Sequence, residues 1–195
     1  MVTTGFSRIH VALYANEDHT VTYSGVVELA RAKKMESEIE FKEGSEFSAN
    51  NTVVERTPRK FQKGKLNLTV DGLTGAEYKL LFGISPEMDS GASAQVLNFG
   101  DINPPYMGVG AVKKMQQDGV ESFRPIIFRK CQFAVPKESA ETEEVDGDTW
   151  QVQELSADIF RDDSTKHIWQ TIPEENFSTE AEAVAFIKKV LGDRA

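Results

Sequence analysis

Three histidines and one cysteine are the residues of this chain best suited to binding a metal ion or attacking a substrate. His10, His19 and His167 lie far apart in sequence, and none has a partner at metal-ligand spacing, so ordinary core or surface positions are expected. Cys131 has no second cysteine to bridge and falls within a predicted strand, where a small buried apolar residue is expected. These residues predict no metal site and no nucleophile.

Two short motifs also lack the pattern that their chemistry requires. Gly108-Val109-Gly110 is followed by lysines, but the Gly-Lys-Ser/Thr ending of a phosphate-binding loop is absent. Glycines inside a strand instead indicate a bulge or a close backbone approach. Asp146-Gly147-Asp148 does not follow the ligand order of a calcium loop, and no Gly-x-Ser-x-Gly elbow occurs. We therefore expect no enzymatic activity and no cofactor.

A row of acidic side chains is the most regular charged pattern in the chain. Residues 33–41 alternate, so Met35 and Ile39 share one face of a predicted strand. The opposite face carries Glu36, Glu38 and Glu40. Two interpretations stay open, a solvated outer face and the lining of a cavity or channel.

The elements that position these residues are mainly strands. Strands are predicted at 8–14, 21–30, 33–41, 60–71 and 94–100, in a long hairpin at 105–133 turning at Asp118-Gly119, at 149–160 with a β-bulge near Gln153-Glu154, and at 166–172. Helices are predicted at 74–82, capped by Thr74 and Glu77, and at 178–191, capped by Thr179 and Glu182. Residues 84–92 are expected to form a loop. The order predicts an antiparallel β-sandwich or barrel with a flanking C-terminal helix and one short helix.

Domain organisation follows from length and from two polar segments. The 195 residues are predicted to form a single domain, with a long loop at about residues 42–60 and an acidic loop at about 136–149. The first segment has few large apolar residues, and an extended hairpin arm that orders against a neighbour fits it.

Charge and hydropathy limit the classes of function. The formal charge is −9, from 31 acidic and 22 basic residues, which argues against a nucleic-acid clamp built on phosphate neutralisation. No apolar run approaches the length of a membrane span, no secretion signal is apparent, and the single cysteine favours a reducing compartment.

The order of several segments resembles the major tail protein, the tail tube subunit, of long-tailed, non-contractile bacteriophages (siphophages). The resemblance covers nearly all of the chain. It rests on GFSRIHVALY at 5–14, TVTYSGVVELARAK at 20–33, KGKLNLTVDGLTGAEYKLLFG at 63–83, PPYMGVGAVKKMQQDG at 104–119, FRPIIFRKCQFAVP at 123–136, TWQVQELSADIFRD at 149–162 and FSTEAEAVAFIKKVLG at 177–192.

This resemblance implies a phage tail tube-like fold and a structural function. It implies homohexameric rings stacked into a tube through which double-stranded DNA passes without specific binding, and no membrane partner. Further implied partners are the tape measure protein, the tail terminator and the tail-tip or baseplate proteins. The implied location is the virion tail, assembled in the host bacterial cytoplasm.

The resemblance also implies roles for residues that have no catalytic function. Candidates for the acidic lumen lining are Glu36, Glu38 and Glu40. The loop at 42–60 takes the role of bridging successive rings, with the candidates Phe47, Asn50, Asn51, Arg56 and Arg59.

Two alternatives to a tube subunit stay open. A tail completion or baseplate protein of the same fold forms a single ring instead of a tube. A carbohydrate-binding β-sandwich module displays several aromatics on one face, whereas Trp150 and Trp169 are isolated in this sequence.

Overall fold

A computed structural model describes residues 2–49, 52–89, 94–138 and 152–192. These residues form antiparallel strands and two helices, which confirms the predicted mainly antiparallel β fold with a C-terminal helix. The strands are β1 (Val2–Glu17), β2 (Thr20–Glu28), β3 (Ala32–Lys42), β4 (Glu46–Ala49), β5 (Thr52–Arg56), β6 (Lys60–Val70), β7 (Pro86–Asp89), β8 (Ala94–Leu97), β9 (Tyr106–Gln117), β10 (Val120–Phe133), β11 (Gln153–Phe160) and β12 (Gln170–Thr171). The helices are α1 (Gly75–Phe82) and α2 (Glu180–Val190).

Eight of these strands build one sheet with the order β2-β1-β9-β10-β11-β6-β3, and β12 pairs with β10 beside this path. The two edge strands, β2 and β3, are consecutive in the chain and are joined only by residues 29–31. An extended residue spans at most about 3.6 Å, so the two edges must come within about 14 Å of each other at that end. The sheet is therefore curled, and its concave side faces itself as in a sandwich.

Two apolar clusters hold the layers together. The concave side buries residues from both halves of the sheet, among them Val11, Val109, Leu66, Leu68 and Ile159, with Leu81 and Phe82 of α1. On the convex side, α2 covers the strands β1, β9 and β10. That second cluster contains Ala12, Val112, Ile127, Ala183, Ile187 and Leu191. Both faces of β1 are buried for this reason, although its alternation alone predicts one buried face.

The predicted helix caps and strand glycines are found as expected. Thr74 with Glu77 and Thr179 with Glu182 form reciprocal capping boxes at the starts of the two helices. A Cβ atom added at Gly110 would lie 2.5 Å from Ile187 Cγ2, so this glycine allows α2 to approach the sheet closely.

Two local predictions are wrong. Residues 86–89 do not form the predicted loop. They form β7, which begins at Pro86 and pairs with β8 in a two-stranded antiparallel sheet. No β-bulge occurs at Gln153-Glu154, since β11 pairs with β6 in continuous register from Gln153 onward. Within the long loop predicted at about residues 42–60, β4 pairs with β5, so the described part of this segment is a hairpin. In the predicted acidic loop, residues 139–149 lie outside the described residues.

Candidate assembly surfaces

The acidic row predicted from the sequence lies on the edge strand β3 and is exposed to solvent. The antiparallel register places Glu36 opposite Asn67, Glu38 opposite Lys65 and Glu40 opposite Lys63. The next strand, β11, adds Asp158 opposite Lys65 and Ser156 opposite Asn67. We call this solvent-facing surface of β3, β6 and β11 the outer face. It is a surface of mixed charge, not a purely acidic one.

The carboxylates of the row differ in their partners. The Lys34 ammonium lies 2.8 Å from Glu36, and the Lys63 ammonium lies 3.2 Å from Glu40. Glu38 has no ion pair among the described residues, and it lines a cleft together with Lys113 of β9. Because all of these pairs are exposed to solvent, they contribute little to the stability of the fold. Their charges are therefore available to act on molecules near this surface.

The edge strand β3 carries open backbone hydrogen-bonding groups along one side. It pairs with β6 in regular register from Lys34 to Glu40, which makes it straight enough to accept another strand. The opposite edge, β2, is less suited to this role. Its register with β1 shifts between Val11 and Leu13, and Gly25 adopts a left-handed backbone there, as at a β-bulge.

An arm formed by residues 43–49 and 52–59 continues the β3–β6 hairpin beyond the body of the protein. Ser45 and Thr57 link its two sides, with the Thr57 amide donating to the Ser45 carbonyl at 3.0 Å. Beyond them, β4 pairs with β5. At about 3.3 Å per residue, the arm extends about 25 Å past Lys42 and Lys60. The segment that composition alone marks as unusual is thus a projecting hairpin.

The candidate inter-ring residues fall at different places in this arm. Arg56 pairs with Glu46, and Arg59 lies 2.9 Å from Glu43, so both guanidinium groups are neutralised across the hairpin. The backbone of Phe47 pairs with Glu55 in the β4–β5 ladder. Asn50 and Asn51 lie outside the described residues. The glutamate partners were not predicted, because the register of the hairpin is needed to find them.

An aromatic cluster holds the base of the arm against the body. The rings of Phe61 and Trp169 stack with centroids 5.8 Å apart, and Phe41 contacts both rings edge-on. Gly44 packs against the Thr57 backbone so closely that no side chain fits there. Sequence reasoning missed this cluster, although Phe41 and Phe61 flank the polar segment symmetrically.

Cys131 and the three histidines lie in different surroundings. Cys131 is buried in the core, and burial raises the pKa of its thiol. His10 is buried under α2, whereas His19 and His167 contact the carbonyls of Asp163 and Asp162. Among the residues that the structure describes, no group of histidine, cysteine and acidic side chains has the geometry of a metal site.

Comparison with protein-family models and with curated proteins finds no match for this chain. Within the described ranges, no helix is both long enough and apolar enough to cross a membrane. The class that the structure itself defines is a curled antiparallel sheet with a packed C-terminal helix, an open edge strand and a projecting hairpin arm.

Proposed function

We propose that this chain is a structural subunit that assembles with copies of itself into hexameric rings, and that the rings stack into the hollow tail tube of a long-tailed, non-contractile bacteriophage. One observation carries the proposal. The strand with the open, regular edge, β3, is also the strand that leads into the arm. A single hairpin thus provides an open strand edge that can pair with the next copy in a ring and an arm that can contact a copy in the next ring.

Ring formation follows from the chemistry of the open edge. Addition of a strand from the next copy satisfies the unpaired N–H and C=O groups of β3. The two surfaces in such a contact differ, so the contact is heterologous. It closes into a ring when a whole number of equal rotations between neighbouring copies completes one full turn. The arm then contacts the next ring.

The outer face supports a role in DNA passage. Because it lies on β3 and its neighbours, pairing at the β3 edge would extend this face continuously from one copy to the next. Its carboxylates present like charge to phosphate, and two of its lysines, Lys34 and Lys63, are already in ion pairs, so DNA would move past without being retained. Glu38, which has no ion pair among the described residues, is the strongest candidate for this repulsion.

The remaining parts of the proposal are those that a tail tube requires. The tube would surround a tape measure protein and would contact a terminator at one end and tip or baseplate proteins at the other. The subunit would have no enzymatic activity, would be assembled in the bacterial cytoplasm and would be located in the virion tail.

Negative-stain electron microscopy of the concentrated protein, together with its mass in solution, tests this function. Hollow tubes with six-fold end views are the expected result, either spontaneously or after addition of a tail-tip complex. Rings that never stack would instead favour a completion or baseplate protein. A species that stays monomeric in both conditions would overturn the proposal.

A further inference from the structure

The arm and the helix α1 lie at opposite ends of the strand β6. Lys60, at the start of β6, adjoins the arm, whereas Val70 ends the strand shortly before α1. At about 3.3 Å per residue, these two ends are about 33 Å apart. The β7–β8 pair lies beside α1, since Leu97 Cδ1 is 4.0 Å from a Cβ atom added at Gly75. One end of the subunit thus carries the projecting arm, and the other end carries α1 with β7 and β8.

The end that contains α1 exposes several apolar side chains. Met88 of β7 is 70% exposed, and Phe99, which follows β8, is 48% exposed. The ring of Phe99 contacts the ring of Tyr78 in α1 edge-on, with centroids 5.9 Å apart. Because Leu97 pairs with Pro86, two residues before Met88, Met88 and Leu97 share the face that is turned toward α1. We call Tyr78, Met88, Leu97 and Phe99 the α1 surface. Apolar side chains exposed as a group are typical of interaction sites.

One cation beside the α1 surface has no anionic partner in the described part of the chain. Lys79 lies in the last turn of α1 and forms no ion pair with another described residue. Two carboxylates of the same region are engaged elsewhere. Glu77 belongs to the capping box of α1, and Glu87 accepts a hydrogen bond from the Asn98 side chain at 2.6 Å. The α1 surface thus combines apolar side chains with an ammonium group that is available for pairing.

The arm carries groups that complement this surface. The β4–β5 register shifts between Phe47 and Ser48, which leaves Val54 without an opposite residue, as at a β-bulge. The Val54 side chain is 63% exposed. Glu55, the next residue, forms no ion pair with another described residue, whereas the other two glutamates of the arm are paired with its arginines. An exposed apolar side chain and an available carboxylate therefore lie side by side on the arm.

Stacking of rings in one orientation brings the two ends together. A tube with different proteins at its two ends has a direction, so the arm end of each copy faces the α1 end of a copy in the next ring. Strands that pair around a closed barrel run along its axis with a tilt of about 35–45°, so β6 separates the two ends along the tube. The arm extends about 25 Å, which carries Val54 and Glu55 across the junction between rings.

We propose that the arm of one copy docks on the α1 surface of a copy in the next ring. Val54 packs against Met88 and Phe99, which removes all three side chains from water. Glu55 pairs with Lys79, which fixes the position of the arm along the surface. This inference rests on the proposed tail tube and names the surface that receives the arm.

A pair of cysteines tests the contact directly. Val54→Cys with Met88→Cys is assembled under the conditions of the microscopy above and oxidised with copper phenanthroline. We expect a ladder of linked subunits on a non-reducing gel. Val54→Cys with Val120→Cys is the matched control and should give no ladder, because Val120 is 69% exposed but lies at the start of β10. Cys131 is buried and should not react.

An exchange of charges tests the ion pair. Glu55→Lys and Lys79→Glu should each raise about fivefold the protein concentration at which half of the subunits are in tubes, the change expected for one exposed pair. The double variant should return toward wild type. Lys166→Glu, which changes an exposed lysine outside both surfaces, is the control and should change this concentration less than about twofold.

Electron micrographs of the same samples separate this inference from the proposed function. Tubes that give no ladder with the Val54 and Met88 cysteines, or an equal ladder with the Val120 control, would overturn the docking site and leave the tube in place. A specific ladder without recovery in the double charge variant would support the docking site and overturn the pairing of Glu55 with Lys79. Wild-type protein that forms no tubes in either condition would overturn both proposals.

Discussion

The Lys130 ammonium lies 2.7 Å from Oδ2 of Asp163. This ion pair joins the segment between β11 and β12 to β10, in the middle of the sheet. The same ammonium lies over the rings of Tyr106 and Tyr14, 4.4 and 5.1 Å from their centroids. The Tyr14 hydroxyl donates to Asp163 at 2.8 Å and accepts from its backbone amide at 2.9 Å. This network holds the segment that carries Trp169, and hence the base of the arm, against the body.

Asp163→Asn should destabilise the fold and flatten its acid dependence. The hydrogen bond from Lys130 is the main cause that holds the pKa of Asp163 below its ordinary value of 3.8. A lowered folded-state pKa stabilises the native state above the unfolded pKa, and that contribution is lost as the pH falls through the folded value. We expect a loss of about 1 kcal/mol at neutral pH, discounted because this carboxylate is partly exposed.

Urea unfolding at a series of pH values measures this effect. Wild type should lose more stability than Asp163→Asn between about pH 5 and pH 2. Asp158→Asn, which changes an exposed carboxylate on the outer face, is the control and should follow wild type. Parallel pH profiles for wild type and Asp163→Asn would contradict the role of the ion pair.

Gly110→Ala should push α2 away from the sheet. The new methyl group would lie 2.5 Å from Ile187 Cγ2, and overpacking of this kind costs about 1–3 kcal/mol. Gly5 lies in β1, the strand next to Gly110 in β9, and nothing lies within 4 Å of a Cβ atom added there. Gly5→Ala should therefore have a much smaller effect. Guanidinium unfolding midpoints compare the two variants, and equal midpoints would show that α2 adjusts freely.

Arg59→Glu should impair stacking of rings without unfolding the subunit. The change places two carboxylates together at the base of the arm, where Arg59 and Glu43 now form an exposed ion pair. Exposed pairs contribute about 0–1 kcal/mol, so the melting temperature should hardly change. The exchanged pair, Glu43→Arg with Arg59→Glu, should restore tube length in electron micrographs. Failure of the exchange would show that Arg59 contacts another copy instead of Glu43.

Replacing Glu36, Glu38 and Glu40 with lysine should make assembled tubes retain DNA. The outer face would then carry an excess of ammonium groups, and counterion release would favour binding that weakens steeply with salt. Nuclease-protected DNA that sediments with the tubes measures retention inside the lumen. The triple glutamine variant controls for loss of charge without reversal. If the lysine tubes protected no more DNA than wild type, the acidic row would not line the lumen.

Local sequence signals determined the elements because the forces behind them act over short distances. The capping boxes at Thr74 and Thr179 were recognisable since each joins residues three positions apart. The hairpin turn at Asp118-Gly119 was recognisable because left-handed residues are needed there, with φ values of 51° and 80°. Alternation of apolar residues identified most strands in the same way.

What the sequence alone determined is a mainly antiparallel β chain with one strongly amphipathic C-terminal helix. Only the tertiary structure decided which strands lie at the edges, which lysines face Glu38 and Glu40, and which residues of the arm pair with one another. These relationships depend on register between segments far apart in the chain, and a shift by one residue exchanges the two faces of a strand. The apolar cluster of Ala12, Ala183 and Ile187 likewise forms only because a helix from the end of the chain packs on the first strand.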